Sequence, residues 1–318
     1  MSTFFNQARL PLKVLSFAAA LFIFNLFNPL VVHAQDASSA SEFPPSWTRC
    51  YFGVGLGAAL TDLELDNETD GLERQRRRRC FERRGGPPRC TRYTRPSRYR
   101  FSESSFFDED ETYFFGTIQL GYNQQINSMF VVGAFVDFDK YIGNSDAFND
   151  INYNRRGRRF NEVSGSIDLD YSATVGGRIG FLTNNQNTLI YGLVGYTHLK
   201  LDGDLTETVG RTNRRGNQRI RNSAGLPFPD ELEGLTLGAG IETKLSRNVS
   251  FKFEYRYTNF DDDTAAGAYS STNNSIRNRR RRSYTEVENI LRGNSISGLD
   301  GDIHSIRAVL VYQLNSLP

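Results

Sequence analysis

The sequence predicts an all-β fold, an eight-stranded antiparallel transmembrane β-barrel, and three observations support this prediction. Apolar and polar residues alternate with a period of two over many segments, as in strands whose two faces differ. Short turns and long polar connections follow these segments in alternation, which is typical of membrane barrels. A basic and then apolar N-terminus predicts export.

The alternation is clearest between Ser166 and Phe181, where odd positions carry mainly apolar side chains and even positions carry polar side chains or glycine. Similar alternation marks seven further segments, and no run reaches the ~18 apolar residues of a membrane-spanning helix. The eight predicted strands are Tyr51–Leu65, Thr112–Asn123, Phe130–Ile142, Ser166–Phe181, Thr188–Leu201, Leu235–Lys244, Val249–Tyr257 and His304–Leu314.

The connections fall into two classes by length. Three are short and rich in Asn, Gln or Ser, at 124–128, 184–187 and 245–248, and these predict periplasmic turns. Four are long and polar, which is rare in compact soluble domains. They predict long extracellular loops at 66–111, 143–165, 203–231 and 262–302, in a barrel domain of residues 47–314 with a tail at 315–318.

A soluble barrel is the alternative, because alternation alone does not say which face points inward. The apolar faces are rich in Gly, Ala and aromatic residues, and the polar faces combine opposite charges, which favours the membrane barrel. Closure of the ring also satisfies every backbone hydrogen bond in lipid.

The N-terminus predicts a signal peptide over residues 1–34. Arg9 and Lys13 precede the apolar stretch Val14–Leu30, and Ala34 ends a plausible cleavage site. The alternative is an uncleaved membrane anchor. Residues 35–46 are small and polar, so they predict a short periplasmic tether.

Arginine dominates the basic residues, with 33 Arg against 5 Lys. Removal of Arg9 and Lys13 with the signal peptide leaves 36 basic residues against 36 acidic ones, so the exported chain is formally neutral. This balance argues against a simple nucleic-acid-binding protein, and no specific nucleic acid is expected as a partner.

Several predicted strands resemble those of one known family. The relevant stretches, in order, are Trp47–Gly55, Phe115–Asn123, Phe130–Phe138, Leu237–Glu242 followed by Asn248–Tyr257, and His304–Tyr312. They are similar to strands of small outer-membrane porins and opacity-type surface antigens, the OmpA/OmpX-like barrels common in alphaproteobacteria. The resemblance covers the strands and almost none of the loops.

The resemblance implies an outer-membrane protein, surrounded by lipid and lipopolysaccharide, that supports envelope integrity and acts as a surface antigen or adhesin. It also implies insertion by the barrel-assembly machinery, which reads a terminal aromatic residue. This chain instead ends Tyr312-Gln-Leu-Asn-Ser-Leu-Pro318, so Tyr312 or Leu314 would take that place. A small passive porin for ions or small solutes is the alternative function.

The polar faces of the strands predict a network of charges in the lumen. Eight strands leave room for little beyond side chains, and isolated buried charges are very costly. We therefore expect a structural plug of ion pairs, with an ion gate as the alternative. The predicted members are Asp137, Arg178, Glu242, Lys252, Glu254, Arg256 and Arg307.

The long loops hold 27 of the 33 arginines and no lysine. A guanidinium offers a planar set of donors for phosphate, carboxylate or sulfate, so the loops predict binding of anionic partners such as lipopolysaccharide or host glycans. The alternatives are neutralisation by the acidic loop bases and disorder. The candidate residues are Arg76, Arg77, Arg78, Arg79, Arg155, Arg156, Arg158, Arg159, Arg214, Arg215, Arg279, Arg280, Arg281 and Arg282.

The cysteines predict a disulfide, and the positions of the histidines argue against a catalytic pair. Cys80 and Cys90 flank a Gly-Gly-Pro-Pro turn, and export through an oxidising periplasm predicts a disulfide between them. His304 and Ser305 are adjacent in a strand, so they point to opposite faces and cannot act as one catalytic pair. The sequence thus predicts neither an enzyme nor a cofactor or metal site.

Overall fold

The computed structural model describes residues 46–83, 85–143, 147–153, 159–212, 218–280 and 283–314, apart from the side chains of 105–110, 221, 262 and 278–280. The predicted signal peptide, the tether up to residue 45 and the tail at 315–318 lie outside these residues. Within the described ranges, no helix is long and apolar enough to cross a membrane.

The described residues form eleven strands that belong to one antiparallel sheet. The strands are β1 (Arg49–Arg83), β2 (Gly86–Cys90), β3 (Ser97–Gln125), β4 (Phe130–Ile142), β5 (Phe148–Tyr153), β6 (Arg159–Leu182), β7 (Thr188–Thr212), β8 (Gln218–Leu226), β9 (Glu231–Lys244), β10 (Val249–Arg280) and β11 (Ser283–Gln313).

The sheet closes into a ring. Following the hydrogen-bonded neighbours from β1 leads through β3, β4, β6, β7, β9, β10 and β11 and back to β1. The short strands β2, β5 and β8 pair with β1, β6 and β7. The prediction of an all-β antiparallel barrel is confirmed, and closure removes the free strand edges.

The outer surface near the short turns carries a continuous apolar belt. Leu56 is 72% exposed, Phe114 65% and Ile179 61%. Soluble proteins rarely expose so much contiguous apolar surface, so this part of the ring fits a hydrocarbon environment. Other members of the belt are Phe52, Val54, Ile118, Leu120, Val136, Leu237 and Leu310.

The strands continue far beyond the belt, into the segments that the sequence predicts as loops. β1 runs to Arg83, and β10 and β11 form a hairpin that reaches Arg280 and Ser283. The two strands of this hairpin pair almost without interruption from Val249 to Arg280. The strands therefore extend past the predicted loop boundaries, because polar and apolar side chains are mixed on the inward face there and its contrast with the polar outward face is weaker.

The interior changes character along the barrel axis. Trp47 is fully buried near the short turns and donates from Nε1 to the Gln186 carbonyl at 2.9 Å. Charged side chains fill the section inside the apolar belt, and an apolar core follows beyond it, around Leu65, Leu199 and Leu299. The outer part is thus built like a water-soluble β protein, whereas the belt section has a polar inside and an apolar outside.

Candidate functional site in the lumen and at the distal end

All seven predicted lumen residues are buried, with side chains between 0 and 5% exposed. Arg178 donates from Nη1 to Glu242 Oε2 at 3.0 Å, and Ser250 donates to the other oxygen of that carboxylate at 2.5 Å. The Arg178 guanidinium also lies over the rings of Tyr51 and Tyr191, at 4.8 and 4.9 Å from their centroids. This ion pair is therefore enclosed on several sides.

A second group of ion pairs is built around Arg256. Its Nη2 lies 2.7 Å from Asp137 Oδ2 and 2.9 Å from Glu254 Oε2. Arg307 binds Asp139 through both oxygens, at 3.0 and 3.2 Å. Sequence reasoning missed Asp139, although it lies two residues from Asp137 and therefore on the same face of β4.

Lys252 completes the charged section, because its Nζ lies 3.6 Å from Glu254 Oε1 and also contacts the Gln119 side chain. The structure thus brings the seven predicted residues together within one section of the lumen. Each charge lies close to an opposite charge, as burial requires. This arrangement links side chains from different strands of the ring through ion pairs.

Two further sets of side chains occupy the interior of the ring, a threonine layer and an apolar core. Four threonine hydroxyls are linked across the barrel wall, with oxygen distances of 2.8 Å from Thr174 to Thr197, 2.5 Å from Thr197 to Thr236 and 2.8 Å from Thr236 to Thr258. Beyond them lies the apolar core, whose Leu199 and other aliphatic side chains are fully buried. Polar and apolar side chains are therefore both buried inside the ring.

Arginines dominate the distal end, which is the end of the ring remote from the short turns. Arg76 pairs with Glu288, and Arg78 Nε lies 2.7 Å from Glu286 Oε2. Both guanidinium groups cover the Tyr93 ring, each at 4.7 Å from its centroid. The hydrogen bond from Arg76 lowers the pKa of Glu288 below its usual value. These two predicted anion-binding residues already have carboxylate partners.

The remaining candidates have different surroundings. Arg77 and Arg79 are exposed, whereas Arg159 Nη1 lies 3.5 Å from Glu73 Oε2 and its guanidinium covers the Tyr99 ring at 4.3 Å. The side chains of Arg279 and Arg280 are outside the described part of the structure. The candidates Arg155, Arg156, Arg158, Arg214, Arg215, Arg281 and Arg282 fall outside the described residues altogether.

Cross-strand pairing brings three arginines into one row on the lumen face. Arg159 of β6 is the direct partner of Arg211 of β7, and Arg211 is also the direct partner of Arg219 of β8. Direct partners in an antiparallel pair share a face, and Val209, two residues before Arg211, is fully buried in the interior.

Arg77 and Arg277 lie on the same lumen face as this row. The partner of Arg77 is the buried Val287, which also pairs with Ser275, two residues before Arg277. These five residues, Arg77, Arg159, Arg211, Arg219 and Arg277, are called the distal arginine cluster below. Sequence counts located the arginine-rich segments but not the registers that bring these five together.

Cys80 and Cys90 are joined by a disulfide in the structure, and they are direct partners between β1 and β2. The bond lies beside the Arg76–Arg78 segment and fixes the short strand β2 to β1. Cys50 is a free, exposed thiol near the start of β1.

Residues 32–278 match the model of the family described as outer membrane protein β-barrel domain, which is more than half of the chain. The chain belongs to this family. The resemblance seen in the sequence is thereby confirmed, and the protein's location is the bacterial outer membrane.

Two curated relatives share modest sequence identity with part of this chain. The 31 kDa outer-membrane immunogenic proteins of Brucella melitensis and Brucella suis are each 29% identical over 146 residues, 46% of this chain and 53% of theirs. The chain thus spans about half the length of the curated relatives it matches.

Solved structures similar to this chain include two bacterial surface proteins. Ail, the attachment invasion locus protein of Yersinia pestis, in complex with the heparin analogue sucrose octasulfate, is 12% identical, with 72% of this chain and 98% of Ail covered and a TM-score of 0.22. Neisserial surface protein A is 10% identical, with 73% and 95% covered and a TM-score of 0.25.

In this outer-membrane barrel, His304 and Ser305 are separated as the alternation predicts. Ser305 is buried in the lumen, whereas His304 Nδ1 lies 2.6 Å from the Tyr255 hydroxyl and its ring lies beside Tyr257. Asp302 is also nearby, at 3.5 Å from His304 Nε2. The serine hydroxyl and the imidazole therefore do not face one another.

Proposed function

We propose that this protein is a non-enzymatic surface protein of the outer membrane that presents arginines to anionic polysaccharides at a distance from the lipid leaflet. The observation that carries the proposal is the sequence of bands along β1, which sets the height at which the arginines begin. On the outer face the apolar belt ends at Leu60, and exposed or half-exposed acidic residues follow from Asp62 to Asp70. Beyond the half-buried Leu72, arginines begin at Arg74 and stand on both faces of the strand.

The distance between these bands indicates whether the arginines can reach the phosphates of lipid A or only anions farther from the membrane. From Leu60 to Arg74 the strand rises ~3.3 Å per residue, or roughly 46 Å along its length. A strand tilt of about 40° places the arginines roughly 35 Å above the apolar belt. The polar zone of a bilayer is only about 5–8 Å thick on each side. The arginines therefore project beyond the phosphates of lipid A.

The acidic band lies where those phosphates would be. On β11, Asp302 and Asp300 are the direct partners of Asp62 and Glu64. Lysines at this level, Lys140 and Lys200, are next to carboxylates of their own. Carboxylates repel phosphates, so the leaflet surface favours a more distant anionic partner, a host glycan or the outer part of surface polysaccharide.

The orientation follows from the same bands. We infer that the eight strands of the ring cross the membrane, with the short turns in the periplasm and the arginine-rich end outside. The predicted signal peptide over 1–34 and insertion by the barrel-assembly machinery belong to this proposal. The layered lumen supports a plug rather than the alternative passive porin.

Retention on a sulfated polysaccharide tests the proposal. The detergent-solubilised full-length protein should bind immobilised heparin at about 50 mM salt and elute as salt rises, because the contacts are electrostatic. Purified lipid A in vesicles should compete weakly. Absence of heparin retention at low salt, or stronger binding to lipid A vesicles than to heparin, would contradict the proposal.

A further inference from the structure

We infer that the distal arginine cluster is a binding site for several sulfate or phosphate esters carried on one polysaccharide chain. This inference rests on the proposed function and assigns it to Arg159, Arg211 and Arg219, with Arg77 and Arg277 beside them. Adjacent strands lie ~4.8 Å apart, so the row of three spans roughly 10 Å across β6, β7 and β8. A row of that length can contact several anionic groups along a chain rather than a single ion.

The register is the first support for this inference. Like charges placed directly opposite each other on neighbouring strands destabilise a sheet. Two consecutive pairings, Arg159 with Arg211 and Arg211 with Arg219, both have this arrangement. A bound polyanion would remove the repulsion, because each guanidinium would then face an oxyanion.

The electrostatics of the cluster provide the second support. Burial and then the Arg159 charge lower the pKa of the Arg211 guanidinium, and burial and then Arg219 lower that of Arg277. Among the described residues, the buried Nε of Arg277 has no hydrogen-bond acceptor. The cluster thus holds excess positive charge and an unused donor on the lumen face.

The outward-facing arginines differ from the distal arginine cluster in having carboxylate partners. Arg76 and Arg78 stand on the same strand as Arg77 but bind Glu288 and Glu286, so their charges are compensated within the protein. In the cluster, Arg159 has Glu73 within 3.5 Å, and the Tyr99 ring holds its guanidinium in place. Within the part of the chain that the structure describes, no ion pair joins Arg211, Arg219 or Arg277 to a carboxylate, so the lumen-facing set is better suited to bind an external anion than the outward-facing set.

A matched pair of double variants tests this assignment in the full-length protein. R211Q/R219Q and R76Q/R78Q remove the same number of charges from the two faces. We expect R211Q/R219Q to weaken heparin binding at least tenfold and to lower the slope of log affinity against log salt by about one to two, since counterion release follows the number of contacts. R76Q/R78Q should stay within about twofold of the parent protein.

A lysine variant and a competition experiment distinguish guanidinium recognition from general charge, and a sulfated ligand from a phosphorylated one. R211K/R219K keeps the charge but loses the planar fork, so binding between the parent and the Gln variant supports oxyanion recognition by guanidinium. Free heparin and free smooth lipopolysaccharide, used as competitors, distinguish a sulfated source from a phosphorylated one, and either supports the site.

Several outcomes would overturn the site without touching the proposed function. Equal losses in both double variants would show a general charge effect, and unchanged binding in R211Q/R219Q would place the site elsewhere. Parent protein that does not bind heparin would overturn the proposed function as well. Heat-dependent migration on gels shows which variants are folded, and R211K/R219K keeps the test valid if R211Q/R219Q does not fold.

Discussion

One buried carboxyl, Glu207, shows how strongly environment governs a single residue in the outer part of the barrel. Its side chain is fully buried on the lumen face, opposite Val163 and Ala224. Burial raises the pKa of Glu207 to about 7, although the nearby polar side chains of Tyr269 and Asn161 partly oppose the rise. The folded state therefore keeps this carboxyl protonated in mildly acidic solution.

The raised pKa predicts pH-dependent stability. An unfolded glutamate ionises near pH 4.5, so the contribution of Glu207 is fully present below that pH and is lost as pH rises through about 7. The loss is at most about 3 kcal/mol at ~1.4 kcal/mol per pKa unit. Thermal unfolding followed by circular dichroism should show a larger fall from pH 5 to pH 8 in the parent than in E207Q. Equal falls would contradict the assignment.

Between strands, aromatic residues lie over glycines on the neighbouring strand. Phe101 is the direct partner of Gly71, Tyr269 of Gly293 and Phe160 of Gly210. A Cβ atom at each of these glycines would overlap the ring of its partner. Such pairs cover bare backbone and help to fix the register, which explains how hairpins that lack an amphipathic pattern still pair in one way.

Replacement of one of these glycines should therefore destabilise the outer barrel. G71A forces the Phe101 ring away from β1, and overpacking of this kind costs about 1–3 kcal/mol. We expect faster proteolysis of the distal hairpins and a lower unfolding temperature. G225A is the control, because a Cβ there has only an ordinary contact, 3.9 Å from the Leu205 carbonyl. Similar behaviour of the two variants would argue against the ring–glycine contact.

The alternation of apolar and polar residues predicts the strands correctly in the apolar belt, but it does not reveal the strands that continue beyond the belt. Between Leu56 and Leu60 the outward side chains are apolar and contrast with the small inward ones, so the sequence predicts a strand. Farther out, Asn67 is buried although it is polar, and it accepts hydrogen bonds from Ser295 at 2.7 Å and Ser297 at 2.9 Å. Polar residues on both faces resemble a loop, because sequence does not show which polar groups are buried.

At the scale of the whole molecule, we propose that side chains of different chemistry close the lumen in successive sections. The charged section, the threonine layer and the apolar core follow one another from the belt outward. The apolar core is the more decisive obstacle to ions, because transfer of a charge into such surroundings is very costly.

This closure predicts negligible conductance. Purified protein inserted into planar bilayers should give no stable channel steps at moderate voltage. A variant with serine in place of Leu199 and Leu299 opens only the apolar layer and should also remain silent, because the ion pairs around Arg256 still fill the belt section. Large, stable steps in the parent protein would restore the porin alternative.

The sequence by itself determined the all-β class, the closed barrel with one face in lipid, and the charged set from Asp137 to Arg307 that occupies the belt section. These follow from a local property, since alternate residues of a strand point to opposite faces whatever its partner. Only the tertiary structure decided which arginines are compensated and which converge. Arg76 and Arg77 are neighbours in sequence, yet one meets Glu288 and the other lies on the face of the distal cluster. Strand register between distant segments sets that difference, and register depends on hydrogen bonds and packing across the closed ring.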